Sequence, residues 1–180
     1  EQYIKQQAKI LVPVRRVDEI LTSILSMIRR NPFQEGQDRI NFVDEYLVKT
    51  NQPINDYNRC THLLNPDGIV YESLNAVKLG LEQNMRDKMH FIDYNDMVSN
   101  PEQVMEDIYD FLGEEHYEHT FDELSNTHRE NDLNTYGLGD MHEVHSKLEK
   151  TSSSPESVLP KEILDLYEQN KQSLEFWTSK

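Results

Sequence analysis

The sequence is poor in cysteine and in basic residues. Cys60 is the single cysteine among 180 residues, which excludes an internal disulfide framework and is typical of a reducing compartment, so we expect a cytoplasmic protein. The 18 Lys and Arg residues face 33 Asp and Glu residues, which gives a net charge of −15. This charge argues against a general nucleic-acid binder, which needs a basic face to displace counterions, and against a polybasic membrane-surface protein.

Long hydrophobic runs are missing as well. The longest apolar stretch, residues 10–14, is far shorter than the ~20 residues that cross a bilayer, so we expect no membrane span. The polar residues 1–7 lack the apolar centre of a signal peptide. Apolar residues do recur with strand or helix spacing elsewhere, and this predicts a modest core within one domain.

The apolar pattern predicts an α/β domain. Two short runs rich in β-branched and aromatic residues, 9–15 and 89–94, are the expected strands. The expected helices cover residues 1–8, 18–30, 40–49, 68–83, 100–112 and 159–171, with a loop at 51–61 and an irregular acidic segment at 114–157. The order strand, helix, helix, strand, helix is typical of a parallel sheet flanked by helices. Two strands are few for such a sheet, so either strands are missed or the chain is part of a larger domain.

The clearest helix start is the run Asn100-Pro101-Glu102-Gln103. Asn100 can cap the helix, Pro101 suits its first position, and Gln103 can reach back to the cap. Gly113 follows the last apolar residue and is expected to end the helix in the left-handed conformation.

The first candidate site is the junction between the first strand and its helix. Ligands of open α/β sheets bind at the carboxyl ends of strands, and a helix N-terminus there offers backbone N–H groups to an anion. Arg15 at the strand end adds a guanidinium that suits phosphate, and the hydroxyl of Ser23, eight residues later, can donate to the same anion. The alternative is structural: Arg15 pairs with Asp18 or Glu19, and Ser23 is a small residue at a packing face.

The second candidate site is the end of the second strand. Tyr94 stands there, before the well-capped helix, and can lie against a flat base or hydrogen-bond to it. The alternative is a tyrosine that only packs at the sheet edge.

Taken in order, these junctions resemble the sulfotransferases. The strand-end arginine with a serine eight residues later is similar to their 3′-phosphate-binding segment. The run from Tyr94 through Asp96-Met97 and Asn100-Pro101-Glu102 to Phe-Leu-Gly at 111–113 resembles the segment that follows. Residues 136–160 resemble the C-terminal stretch of bacterial and viral sulfotransferase-like proteins. The resemblance covers residues 9–33 and 64–177.

The resemblance implies a P-loop-like sulfotransferase architecture, with residues 1–180 as the C-terminal portion of one domain. Members of this family transfer a sulfuryl group from 3′-phosphoadenosine 5′-phosphosulfate to a hydroxyl or amine of a small-molecule or glycan acceptor. By resemblance, Arg15 and Ser23 would hold the 3′-phosphate of this cofactor, and Tyr94 would lie near its adenine.

The resemblance also implies a basic residue in the C-terminal stretch that reaches the same phosphate. The candidates are His142, His145 and Lys147.

One family feature has no counterpart in the sequence. The phosphosulfate loop is a Gly/Ser/Thr-rich turn after a strand, and no segment here matches it; the family's general base lies on the same missing part. We therefore expect that the chain alone does not catalyse transfer. A non-catalytic sulfotransferase-like module that binds a partner through its acidic surface is the alternative. A different phosphate-handling enzyme is disfavoured, because the sequence has no Walker-type lysine loop.

Two further patterns carry weaker hypotheses. The pairs His116/His119 and His142/His145 have i, i+3 spacing and could offer imidazoles to zinc, but solvated histidines are the favoured interpretation and no metal is expected. Cys60, in the expected loop and without a nearby base, has little support as a nucleophile.

Overall fold

The structure, a computed structural model, describes residues 8–33, 39–125, 131–139, 141–142, 144–150 and 153–178. Within these ranges it contains two strands and nine α-helices. They are β1 (Ile10–Val14), α1 (Val17–Arg30), α2 (Phe42–Lys49), α3 (Asp56–Leu64), α4 (Ile69–Glu82), β2 (Met89–Asp93), α5 (Tyr94–Ser99), α6 (Pro101–Leu112), α7 (Asp132–Tyr136), α8 (Pro155–Val158) and α9 (Lys161–Leu174). The helix expected at residues 1–8 lies, except for residue 8, outside the described residues. No helix in the described ranges is long and apolar enough to cross a membrane.

The two strands pair in parallel. Ile10 lies opposite Met89, and Val14 lies opposite Asp93. Both carboxyl ends therefore meet at one edge of the sheet, where α1 and α5 begin. The predicted α/β class with a small parallel sheet is confirmed.

Helix α1 forms the centre of the core. Its residues Val17, Leu21, Leu25 and Ile28 recur at helical spacing and are at most 2% exposed. They pack in one cluster with residues of α3 and α9, including Tyr167. Full burial of each such aliphatic side chain stabilises the fold by about 1.5–3 kcal/mol, which fixes α1 against the rest of the domain.

The prediction of a loop at residues 51–61 is wrong for its second half, because α3 begins at Asp56. The Asn55 side chain caps this helix by accepting from the Asn58 N–H at 2.8 Å. Arg59, one of the polar residues that suggested a loop, donates to both carboxylate oxygens of Asp44 on α2 at 2.7 Å each. A polar helix is stable here because its charges are paired and its narrow apolar stripe, which includes Leu63, is buried.

Smaller expectations also need correction. The Asn100 side chain makes no capping hydrogen bond, and Gln103 donates to Asp107 instead of reaching back to the cap. Gly113 does end α6 in the left-handed region, with φ of 73°. The segment 114–157 contains α7 and part of α8, and the terminal helix runs from Lys161 to Leu174.

Candidate functional site

Arg15 and Tyr94 meet at the carboxyl edge of the sheet. Arg15 directly follows β1 and Tyr94 directly follows β2, and the parallel register places the two strand ends side by side. The guanidinium carbon of Arg15 lies 4.0 Å from the centre of the Tyr94 ring. This distance is that of a cation–π contact, in which the positive charge lies over the face of the ring. The two junctions that the sequence singled out therefore form one site.

Only part of the Arg15 guanidinium is hydrogen-bonded to other residues of the protein. Its Nε donates to Glu19 Oε2 at 3.0 Å, so the pairing weighed as the structural alternative does occur. Its Nη2 is buried and has no hydrogen-bond partner in the described residues. A buried N–H without a partner costs about 1–3 kcal/mol. One side of the guanidinium is thus anchored by Glu19, and Nη2 is a donor without a partner among the described residues.

A second cation, Lys150, reaches the same place from the far end of the chain. Its Nζ lies 3.6 Å from Glu19 Oε1 and donates to Asn95 Oδ1 at 3.1 Å. Burial by itself raises the pKa of Glu19, but the hydrogen bond from Arg15 and the charges of Lys150 and Arg15 outweigh it and lower that pKa. Glu19 is therefore an ionised side chain that holds two cations beside Tyr94.

Ser23 lies on α1, one helical turn beyond Glu19. Residues four apart share a helix face, so Ser23 follows Glu19 along the side of α1 that Arg15 contacts. Its side chain is exposed, and no hydrogen bond joins it to Arg15 within the described residues. It is therefore open to solvent on this face and does not pack in the core.

The N-terminus of α1 has fewer free backbone N–H groups than expected. The backbone N–H of Val17 donates to Glu175 Oε1 at 3.2 Å, and that of Glu19 donates to Asp18 Oδ1 at 2.8 Å. Because carboxylates already occupy these two donors, an anion at the strand edge depends on side chains. The expectation that the backbone N–H groups at the start of α1 are free for an anion is therefore wrong for Val17 and Glu19.

An apolar cavity of about 220 Å³ adjoins Arg15. Its wall includes Ile20 and Ile24 of α1, Leu74 of α4 and Trp177. Such a lining suits an uncharged ring or chain and excludes a phosphate, whose charge would lose its hydration there.

The C-terminal basic candidates lie in different surroundings. His142 is held by Asp132, with its Nδ1 2.8 Å from Oδ1, while His145 and Lys147 are exposed. Lys150 is the basic residue of this segment that reaches Glu19. The family resemblance pointed instead to His142, His145 and Lys147. Lys150 belongs to the stretch identified by resemblance, but its spacing carries no signal of its own.

The remaining hypotheses concern metal and cysteine chemistry. Among the described residues, no three His, Cys, Asp or Glu side chains come together in a way that could hold a metal ion. Cys60 lies on α3 and is buried, not in a loop, and burial raises the pKa of its thiol to about 12. This thiol is therefore protonated at neutral pH and is not an activated nucleophile.

Comparison with known families identifies the family of the chain. The model of the sulfotransferase domain matches residues 1–156, which include Arg15, Ser23, Tyr94 and Lys150. The chain belongs to the sulfotransferase family. Comparisons with curated proteins and with solved structures gave no significant match. The sulfotransferase assignment thus agrees with the resemblance seen in the two junctions.

Proposed function

We propose that this sulfotransferase uses 3′-phosphoadenosine 5′-phosphosulfate as donor and that the described residues form the nucleotide side of its site. The observation that carries the proposal is the buried Nη2 of Arg15, which has no partner and lies beside the Tyr94 ring. An orphaned guanidinium nitrogen next to an aromatic face suits a phosphate that is joined to a base.

In this proposal, two parts of the donor, its 3′-phosphate and its adenine, contact these residues. Arg15 would hold the 3′-phosphate through its free nitrogen, and Ser23 would donate its hydroxyl to the same group. Lys150, half exposed beside Glu19, would supply the second cation. Tyr94 would contact the adenine. Glu19 fixes the orientation of Arg15 through Nε and so leaves Nη2 for the ligand.

These contacts give affinity, not rate. The 3′-phosphate and adenine are remote from the transferred sulfuryl group, so they are bound similarly in the ground state and the transition state. The described residues include no Gly/Ser/Thr-rich loop that follows a strand. Stabilisation of the sulfuryl group and proton removal from a hydroxyl or amine of a small-molecule or glycan acceptor are therefore assigned to parts of the protein other than the Arg15 site. The single cysteine is compatible with a reducing cytoplasm.

The direct test is calorimetry with adenosine 3′,5′-bisphosphate. Arg15→Lys keeps the charge and loses the planar fork, while Arg15→Ala loses both. We expect Arg15→Ala to weaken binding by about 1.5–3 kcal/mol, and Arg15→Lys by less. Ser23→Ala should cost about 0.5–1.5 kcal/mol, as for one neutral hydrogen bond.

A matched control is available in Arg86. Its guanidinium carbon lies 4.3 Å from the centre of the Phe91 ring, so Arg86→Ala removes a similar arginine–aromatic contact away from the strand ends. Adenosine 5′-monophosphate, which lacks the 3′-phosphate, should not distinguish wild type from Arg15→Ala. Equal loss of bisphosphate affinity in the Arg15 and Arg86 variants would remove Arg15 from the site.

A further inference from the structure

A cleft lined by aromatic rings lies on α6, outside the Arg15 site. It has a volume of about 460 Å³ and lies between α6 and residues 116–121. We call it the aromatic cleft. Its rings belong to Tyr109, His116, Tyr117, His119 and Phe121.

The rings are held in place by contacts with one another. The Tyr109 hydroxyl and His119 Nε2 are 2.9 Å apart, and the two rings are stacked with centres 5.8 Å apart. Tyr117 meets His119 edge-on at 5.1 Å, although 70% of Tyr117 is exposed. A large aromatic residue that is fixed in place and open to water provides contact area at little cost in conformational entropy.

Three carboxylates line the same cleft: Glu102 and Glu106 on α6, and Glu118 on the facing segment. None of them forms an ion pair within the described part of the chain. Glu102 and Glu106 are one helical turn apart, and like charges at this spacing repel each other and destabilise a helix. Lys9 offsets the dipole at the C-terminal end of α6 by donating to the Phe111 carbonyl, but no Lys or Arg of the described residues lines the cleft itself. A cation in the cleft would relieve this repulsion.

The segment of chain that forms the cleft carries the same sign of charge along its whole length. Residues 101–125 contain nine of the 33 acidic residues of the chain and none of its 18 Lys and Arg residues. Glu114 and Glu115 are exposed and lie outside the cleft, and Glu114 lines a separate cavity with Lys9 and Lys88. A surface of this extent complements several positive charges in a row, whereas a single amine would neutralise only its centre.

We propose that the aromatic cleft binds an arginine side chain of a basic polypeptide segment, with neighbouring basic residues of that segment on the acidic surface around it. A guanidinium is flat and weakly hydrated, so it stacks on rings such as Tyr109 and Tyr117 while its N–H groups donate to carboxylates. Glu102, Glu106 and Glu118 supply those acceptors. The proposal is independent of the nucleotide site and of sulfuryl transfer.

The test is fluorescence anisotropy with a fluorescein-labelled hexa-arginine peptide at physiological salt. The double variant Glu102→Gln/Glu106→Gln should weaken binding about tenfold, because it removes two acceptors inside the cleft. The matched control, Glu114→Gln/Glu115→Gln, removes the same charge outside the cleft and should weaken binding no more than about twofold. Tyr117→Ala, at a largely exposed position, should weaken it about fivefold through the lost ring.

Two comparisons separate this site from general electrostatic attraction. A hexalysine peptide should bind several-fold more weakly than hexa-arginine, since ammonium groups stack poorly on rings. Equal losses in the two glutamate double variants, or equal affinity for the two peptides, would overturn the cleft as the site. Spermine binding as tightly as the peptide would overturn the polypeptide as the ligand, and no binding of hexa-arginine would overturn the proposal altogether.

Discussion

Lys150 and Glu19 meet at the edge of the sheet, with Nζ 3.6 Å from Oε1, although one comes from the first turn of α1 and the other from an irregular segment near the C-terminus. The second oxygen of Glu19 accepts from Arg15. One buried carboxylate thus holds two cations, one at each of its oxygens. The Lys150 side chain is half exposed, so it is free to turn from Glu19 to the phosphate that we propose at this site.

This relationship predicts that Lys150→Gln weakens the binding of adenosine 3′,5′-bisphosphate. The expected loss is about fivefold, or ~1 kcal/mol, since a partly solvated charge contributes less than a buried one. Calorimetry with Lys147→Gln as control checks the assignment, because Lys147 is an exposed lysine of the same segment. A larger loss in Lys147→Gln would restore Lys147, a candidate taken from the family resemblance, as the phosphate ligand.

Glu19→Gln should remove a contribution to stability that depends on pH. The pKa of Glu19 is lowered from 4.5 in the folded protein, so its ionised form favours the folded state. This contribution is fully present above pH 4.5 and is lost as the pH falls through the lower pKa of the folded state. Urea unfolding of wild type and variant should therefore show the largest difference at neutral pH and a shrinking one in acid. A difference that grows in acid would contradict the lowered pKa.

His62 should make the fold weaker in mild acid. It stacks on Tyr46 with ring centres 3.7 Å apart, its Nδ1 is buried without a partner among the described residues, and burial lowers its pKa. Below about pH 6.5 the unfolded chain takes up a proton that the folded protein resists, so stability falls as the pH is lowered.

His62→Phe keeps a flat ring against Tyr46 and removes the titrating group. Its loss of stability between pH 7.5 and 5.5, measured by urea unfolding, should be smaller than that of wild type. An identical loss in both proteins would show that His62 does not contribute to the pH dependence.

Residues 1–180 alone should not transfer sulfuryl groups, even with the donor in excess. Arg15, Ser23 and Tyr94 lie at the proposed nucleotide end, and transfer also needs preorganised donors around the sulfuryl group and a base at hydrogen-bond distance from the acceptor. The assay is transfer of radiolabelled sulfate to a panel of hydroxyl and amine acceptors. Bisphosphate binding in the same preparation verifies that the nucleotide site is folded. Sustained turnover would place the catalytic donors within these residues and overturn their assignment.

Local sequence signals determined much of this protein. The apolar runs located β1 and β2 to within one residue at each end, because short β-branched runs bounded by charges have few alternatives. The four-residue apolar spacing located α1, and Gly113 ended α6 as expected because its φ of 73° favours glycine. Arg15 and Tyr94 were identified because each directly follows a strand.

Only the tertiary structure decided which side chains and backbone groups of these elements contact one another. Helix α3 was missed because Arg59, one of its polar residues, is stabilised by Asp44 on α2, a partner that a local pattern does not contain. The N–H of Val17 is taken by Glu175 from the opposite end of the chain, and Lys150 reaches Glu19 in the same way. Such contacts depend on where the backbone returns in space, so residue type and spacing identify the candidate groups, and the fold determines which of them meet.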